Sequence, residues 1–190
     1  IKNKMRIITG IYKGRHFDIP KTFKARPTTD FAKENIFNVV NGLIDLEDAE
    51  ALDLFAGTGS ISFELLSRGC SMVTSVERDR EHARFIQQCL SKIGAKNCNL
   101  VKGDVFKFLK SCHKKFDMVF ADPPYALEEL TSLPSLVLDG GILKPDGIFV
   151  LEHGRDHDFS ADSRIIDHRS YGSVNFSIFK HPVTSAETEV

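Results

Sequence analysis

The sequence has no tryptophan and only four cysteines, Cys70, Cys89, Cys98 and Cys112, in 190 residues. They form no C-x-x-C pair, and their spacing fits neither a zinc site nor a recognisable disulfide framework. We therefore expect four reduced thiols, no metal site and a cytoplasmic protein.

Long apolar runs are absent as well. No apolar stretch reaches the roughly 18 residues that a membrane-spanning helix needs, and Ile1 to Met5 lack a signal-peptide core. The apolar content of 42% and the charged content of 27% are ordinary for a globular chain of this length. We expect one folded unit that is monomeric and has no membrane partner.

The chain has almost no net charge, −1 at pH 7, but the charge is unevenly distributed. Residues 1–40 contain nine Lys or Arg against three acids, which gives +6 there and −7 in the remainder. A basic segment on an acidic body favours a partner that carries phosphates. The alternative is a solvated basic tail with no partner.

The most informative motif is Asp122-Pro123-Pro124-Tyr125, which follows the apolar run 118–121, a predicted buried strand. The prolines end this strand and leave a stiff turn between a carboxylate and a ring. A base could stack on the tyrosine while the Asp122 carboxylate and the Pro123 carbonyl accept its amino hydrogens. The motif therefore favours chemistry on an exocyclic amine. An ordinary strand-ending turn is the alternative.

A second motif is the glycine loop of residues 53–59, which lies between a short strand and an amphipathic helix. Gly57 and Gly59 allow a close approach of the backbone to a ligand. The third glycine of a dinucleotide motif is missing, and Asp53 would repel a pyrophosphate but suits an ammonium group. Glu77 ends the next strand, where an acid can accept both hydroxyls of a ribose.

Asp104 ends a third predicted strand and can accept an adenine amino group, while the N–H of Val105 can donate to the ring. In a doubly wound sheet the carboxyl ends of the strands share one edge, so these acids should gather with Asp122 in one cleft. The alternative for Glu77 and Asp104 is that each caps the helix after it.

This ordered set resembles the class I methyltransferases that use S-adenosylmethionine (SAM) and act on exocyclic amines. Residues 6–10, 13–15, 26–30 and 67–69 further resemble the RsmD family, whose members methylate N2 of one guanine in small-subunit ribosomal RNA. The likeness runs from about residue 5 to about residue 180, and segments 26–30 and 53–59 are its most specific parts. Arg78 is a mild departure, because many methyltransferases have an apolar residue there beneath the adenine.

The pattern and the resemblance together predict three sets of site residues. For catalysis they are Asp122, Pro123, Pro124 and Tyr125. For SAM they are Asp53, Phe55, Gly57, Gly59, Glu77, Arg78, Asp104 and Val105. For the RNA they are Arg6, Lys13, Arg15, Arg26, Thr28 and Thr29, although Thr29 or Asp30 could instead cap a helix. His153, His157 and His168 are assigned to loops and surface.

The alternation of strands and helices predicts an α/β fold. We expect a Rossmann-like, mostly parallel seven-stranded sheet with a C-terminal antiparallel hairpin and a small N-terminal extension of hairpin and helix. Residues 1–45 would form this basic extension and dock RNA, residues 46–182 would form the catalytic domain, and residues 183–190 would be a disordered tail.

Two other functions remain open at this stage. DNA adenine-N6 and cytosine-N4 methyltransferases share the Asp-Pro-Pro-Tyr chemistry, although this chain offers no separate target-recognition domain. A non-catalytic RNA-binding module is the other. The leading hypothesis is a SAM-dependent guanine-N2 methyltransferase whose partner is ribosomal RNA or the assembling small ribosomal subunit.

Overall fold

The computed structural model describes residues 3–23 and 28–182. A two-stranded antiparallel hairpin comes first, with β1 at Lys4–Arg6 and β2 at His16–Asp18. The main sheet has seven strands: β3 (Glu50–Leu54), β4 (Met72–Glu77), β5 (Cys98–Lys102), β6 (Phe116–Ala121), β7 (Leu143–His153), β8 (Ile165–Tyr171) and β9 (Val174–Phe179). Their order is β5-β4-β3-β6-β7-β9-β8. Strands β3 to β7 are parallel, and β9 pairs antiparallel with both β7 and β8.

Five α-helices in the described part of the chain flank the sheet: α1 (Asp30–Asn41), α2 (Ser60–Ser67), α3 (Arg80–Ile93), α4 (Val105–Ser111) and α5 (Leu133–Leu138). A 3₁₀ helix at Glu128–Ser132 precedes α5. Residues 128–138 therefore form two short helical segments and not one continuous helix. Pro134 explains the break, because proline is accepted in a first helical turn but not in a helix interior.

The sheet is covered on both faces. Along β6, Met118 and Phe120 pack into one apolar cluster with α1, α2 and α3, while Val119 and Ala121 pack into another with α4 and α5. Successive side chains of a strand point to opposite faces, so a strand buried on both sides is apolar throughout. This is why the run before Asp122 has no polar alternation.

The N-terminal hairpin shares the core of the main sheet. Met5 and Ile7 are each 1% exposed and belong to the cluster on the α2 face. Glu64 of α2 is fully buried, and its two carboxylate oxygens accept the N–H groups of Ile8 and Thr9 at 2.9 and 3.0 Å. The hairpin is therefore fixed to α2 by backbone hydrogen bonds as well as by apolar packing.

Lys33 is one of the basic residues counted in residues 1–40, but it is not available to bind RNA. Its side chain is buried, donates to the Arg6 carbonyl and to Ser60 Oγ, and lies 3.7 Å from Glu64. Burial lowers the pKa of the Lys33 ammonium. This lysine therefore connects the hairpin, α1 and α2 and cannot reach a phosphate at the surface.

The order of the strands places the site. From β3 the chain moves outward to β4 and β5, then returns to the other side of β3 with β6. Ligands in such sheets bind beyond the carboxyl ends of the strands near this reversal. The predicted fold is confirmed, whereas the predicted tail at 183–190 lies outside the described residues. Within the described parts of the chain, no helix has the length and apolarity needed to cross a membrane.

Candidate active site

A cleft of about 1190 Å³ opens at the carboxyl edge of the sheet. Most of the predicted cofactor and catalytic residues line it: Phe55, Gly57, Glu77, Arg78, Asp104, Val105, Asp122, Pro123, Pro124 and Tyr125. Residues from four strand ends and the glycine loop thus meet in one space, as the topology predicts.

The glycine loop and the Glu77 side chain are held together by a hydrogen bond from the loop backbone. The N–H of Gly57 donates to Glu77 Oε2 at 2.7 Å, and the N–H of Asp79 donates to Oε1 at 2.7 Å. Gly59 has a φ of +78°, and a Cβ there would lie 2.7 Å from the Phe63 ring. Phe55 also has a positive φ, +59°, which a bulky residue rarely adopts. The loop is held in a strained conformation beside a fixed carboxylate, as is common at ligand sites.

Asp53 has a different position from the other acids. It is 1% exposed, accepts a hydrogen bond from Ser62 Oγ at 2.5 Å, and is not among the residues that line the cleft. Burial raises the pKa of Asp53 to about 7. The carboxyl therefore lies behind the loop, against α2.

Asp104 performs the capping role that was weighed against cofactor binding. Its Oδ1 accepts the N–H groups of Phe106 and Lys107 at 3.0 and 3.1 Å, at the start of α4. The residue nevertheless lines the cleft, where Phe106 meets Phe55 edge to face with ring centroids 6.3 Å apart. One carboxylate oxygen serves the helix, which leaves the other for a ligand.

The Asp122–Tyr125 turn presents acceptors to the cleft. The N–H of Leu127 donates to the Pro124 carbonyl at 2.9 Å. No hydrogen bond from a residue of the described chain reaches the Asp122 carboxylate, which is partly buried. Burial, followed by the negative charges of Glu152 and Asp53, raises the pKa of Asp122 well above its usual value.

Glu152, near the end of β7, is a site residue that the sequence analysis missed. It is 4% exposed and lines the cleft. The Tyr125 hydroxyl donates to its Oε1 at 3.1 Å, and the Thr28 hydroxyl donates to its Oε2 at 3.1 Å. Burial raises the pKa of Glu152 to about 7. The available signal was an acid at the end of a predicted strand, which is the same pattern that identified Glu77.

The predicted RNA residues are spread over the N-terminal part of the chain. Lys13 and Arg15 are exposed on the hairpin, and Arg6 pairs with Asp30 at 2.9 Å. Thr29 Oγ1 accepts the N–H of Ala32 at 3.2 Å, so Thr29 caps α1. Arg26 lies outside the described residues, and Thr28 reaches the cleft through Glu152.

The histidines near the end of β7 require one correction. His153 is 1% exposed, with its ring nitrogens 2.8 Å from Ser177 Oγ and 2.8 Å from the Gly154 carbonyl. Its assignment to the surface was wrong because β7 continues to His153 and turns this side chain inward. Over residues 3–23 and 28–182, no cluster of three or more His, Cys, Asp or Glu could hold a metal ion.

Comparison with known proteins places this geometry in a family. The family model described as "Conserved hypothetical protein 95" matches residues 5–180. The chain belongs to this family. It is the RsmD family expected from the sequence, and the expectation of a methyltransferase is thereby confirmed.

Relatives of known name span nearly the whole chain. A Bacillus subtilis protein named "Putative rRNA methyltransferase YlbH" is 32% identical and covers 93% of this chain and 98% of its own. The Haemophilus influenzae "Ribosomal RNA small subunit methyltransferase D" is 30% identical over 95% of both chains. The solved structure of the "Putative methyltransferase yhhF" from Escherichia coli superposes with a TM-score of 0.81 at 28% identity, covering 93% of this chain and 97% of that one.

Proposed function

We propose that this protein is a SAM-dependent RNA methyltransferase that methylates the exocyclic N2 of a guanine in small-subunit ribosomal RNA. The observation that carries the proposal is the position of the Asp122–Tyr125 turn, which faces the same cleft as Glu77 and Asp104. An amine-holding motif therefore adjoins a site for a nucleoside cofactor. The names of the family relatives supply the class of RNA.

The donor set of the cleft suits SAM and not a dinucleotide. The N–H of Gly57, which could have faced a pyrophosphate, already donates to Glu77, and the acids Glu77, Asp104 and Asp122 line the same cleft. Glu77 would accept the ribose hydroxyls, and the free oxygen of Asp104 would accept the adenine amino group. The N–H of Val105, at the start of α4, would donate to the ring. SAM supplies an electrophilic methyl group on its sulfonium.

The Asp122–Tyr125 turn would position the target amine. A guanine amino group is a poor nucleophile, because its lone pair is delocalised into the ring. Hydrogen bonds from its two protons to the Asp122 carboxylate and the Pro123 carbonyl would direct that lone pair toward the methyl group. Such positioning can lower a barrier by roughly 7–11 kcal/mol at best. The carboxylate also stabilises the positive charge that develops on nitrogen, and the proton then leaves to Asp122 or to water.

Binding of the RNA is assigned to the basic N-terminal segment, where Lys13 and Arg15 are exposed. The target guanine must leave its stack to enter the cleft, which costs least in a loop or an unpaired segment of RNA. The Tyr125 ring, 41% exposed, offers a face on which the base can stack. In this proposal the protein acts as a monomer in the cytoplasm, on ribosomal RNA or the assembling small subunit.

The decisive experiment measures transfer of tritium from labelled SAM. The substrates are naked 16S RNA, assembled small subunits and DNA, each with nucleotide analysis of the product. We expect N2-methylguanine in at least one ribosomal substrate and none in DNA. Labelled N6-methyladenine or N4-methylcytosine in DNA would instead establish the alternative enzyme class.

A further inference from the structure

Glu152 occupies a position that the methyl-transfer chemistry described above does not explain. Its carboxylate is almost fully buried, and each oxygen accepts one hydroxyl, from Tyr125 and from Thr28. A buried carboxylate costs free energy unless donors satisfy it, and the hydroxyls of Tyr125 and Thr28 are the donors that do so here. The two hydroxyls come from segments that are 27 and 124 residues away in sequence.

We propose that Glu152 is a positioning residue of the reaction, which fixes the Tyr125 ring in the target-base site and joins it through Thr28 to the start of α1. The inference rests on the proposed function, since it concerns the same cleft. Glu152 acts through the groups that it holds and need not touch the base itself.

The Tyr125 ring needs such support. It is 41% exposed, so core packing does not fix its orientation. The backbone at Gly154 lies against it, and a Cβ at that position would be 3.0 Å from Tyr125 Cδ2. The hydroxyl bond to Glu152 fixes the far end of the ring. Backbone contact on one side and a hydrogen bond at the tip together leave the other face for a base.

Thr28 connects this point to the segment assigned to RNA binding. It is 9% exposed and directly precedes Thr29, the cap of α1. Arg6 of β1 pairs with Asp30, the first residue of the same helix. Thr28 and Tyr125 therefore meet at the Glu152 carboxylate, and the hairpin is joined to the same end of α1 through Arg6 and Asp30. Contacts of the RNA with the N-terminal segment would thus help to hold the ring in place.

Glu152 also sets the charge around Asp122. The titratable groups that surround the Asp122–Glu152 pair are Asp53 on β3 and Tyr125 in the turn after β6. The negative charge of Glu152 opposes the ionisation of Asp122, which must be ionised to accept the amine hydrogens. Neutralising Glu152 should therefore lower the pKa of Asp122. The acid limb of the rate profile should then move to lower pH.

The test compares wild type with Glu152→Gln, Tyr125→Phe and the double variant. Single-turnover methyl transfer to the ribosomal substrate is measured from pH 5.5 to 9, and SAM affinity by calorimetry. We expect Glu152→Gln to slow transfer about tenfold at the pH plateau, to shift the acid limb to lower pH, and to leave SAM affinity within about threefold. Because Tyr125→Phe removes the hydrogen bond that Glu152→Gln weakens by taking away the charge of the acceptor, the double variant should be about as slow as the slower single variant.

Several outcomes would overturn the inference. Glu152 would have only a structural role if two results came together. The acid limb of the Glu152→Gln profile would stay at the wild-type pH, and the rate losses of the two single variants would multiply in the double variant. If wild type is active and Glu152→Gln transfers the methyl group at the same rate, Glu152 has no role in the reaction. If Glu152→Gln fails to fold, Thr28→Val is compared with Thr28→Ser, which keeps the hydroxyl. Equal transfer rates in that pair would likewise reject the link to α1. A wild type that methylates no RNA would reject the proposed function, and this inference with it.

Discussion

Asp122 and Glu152 are two carboxyl groups in one cleft with different surroundings. Burial raises the pKa of both, but Glu152 already accepts two hydroxyls, whereas no donor from the described chain reaches Asp122. The carboxylate that accepts from no group of the described chain is the one suited to bind the substrate amine. This division of roles makes Asp122 the residue whose loss should stop the chemistry.

Asp122→Ala should abolish methyl transfer and leave SAM affinity within a few-fold of wild type. The reason is that, in the proposed mechanism, Asp122 serves the base, while Glu77 and Asp104 hold the cofactor. Calorimetry with SAM and a methyl-transfer assay measure the two effects separately. Activity within tenfold of wild type would contradict the assigned role.

Asp53 should impose a pH dependence on stability. Its pKa is about 7 in the folded protein and near its ordinary value of roughly 3.9 when unfolded. Between about pH 4 and pH 7 the folded state therefore binds more protons, so its contribution to stability is lost as pH rises. The slope is at most about 1.4 kcal/mol per pH unit. Asp53→Asn should remove this contribution, as urea unfolding at pH 5 and pH 7 would show. An unchanged slope would count against a buried, protonated Asp53.

At the residue scale, the sequence could predict the role of a side chain when that role depends on residues nearby in the chain. The Tyr125 ring follows from the motif, but the partner of its hydroxyl does not, because Glu152 is 27 residues away. The same holds for Glu64, which accepts backbone N–H groups from residues 55 and 56 positions earlier. Such contacts exist only once the strands are assembled.

At the scale of elements, the unit of β3, glycine loop and α2 forms the side of the cleft that is proposed to bind the cofactor. The sequence predicted this unit well, because strand, glycines and amphipathic helix are local patterns. The apolar pattern over 127–139, by contrast, gives no sign of the break between the 3₁₀ helix and α5, which Pro134 explains. Periodicity locates an element but determines its ends poorly when a proline can begin a new helix.

Gly59→Ala should lower both stability and SAM affinity. Its φ of +78° already disfavours a side chain, and a Cβ would meet the Phe63 ring at 2.7 Å. Gly172→Ala is the matched control, because Gly172 has a φ of +67° with nothing near its Cβ position, in the turn after β8. The control should cost about 1 kcal/mol and leave SAM affinity unchanged. Urea unfolding and calorimetry test both, and an equal loss in the two variants would reject the crowding argument.

For the whole molecule, the N-terminal segment combines a structural role with the proposed RNA-binding role, and composition alone could not separate the two. Its positive charge is evident in the sequence, but Lys33 is buried against Glu64, and Met5 and Ile7 fill the main core. The burial could not be predicted because it depends on contacts with α2. Glu64 of that helix, for example, accepts the N–H of Ile8, which lies 56 residues earlier in the chain. Deleting the segment would expose the core, so it cannot test RNA binding on its own.

The RNA-binding role is better tested by Lys13→Ala combined with Arg15→Ala. Both side chains are exposed on the hairpin, so the variant should unfold at the wild-type temperature. Each lost phosphate contact should reduce the slope of log affinity against log salt by about 0.7 on single-stranded RNA. Lys107→Ala with Lys110→Ala, on the exposed face of α4, removes the same charge elsewhere and is the matched control. We expect a shallower slope and weaker RNA binding for the hairpin variant alone, with SAM affinity unchanged in both. If only the α4 variant changes the slope, the RNA docks on the face of α4, and the hairpin serves the core.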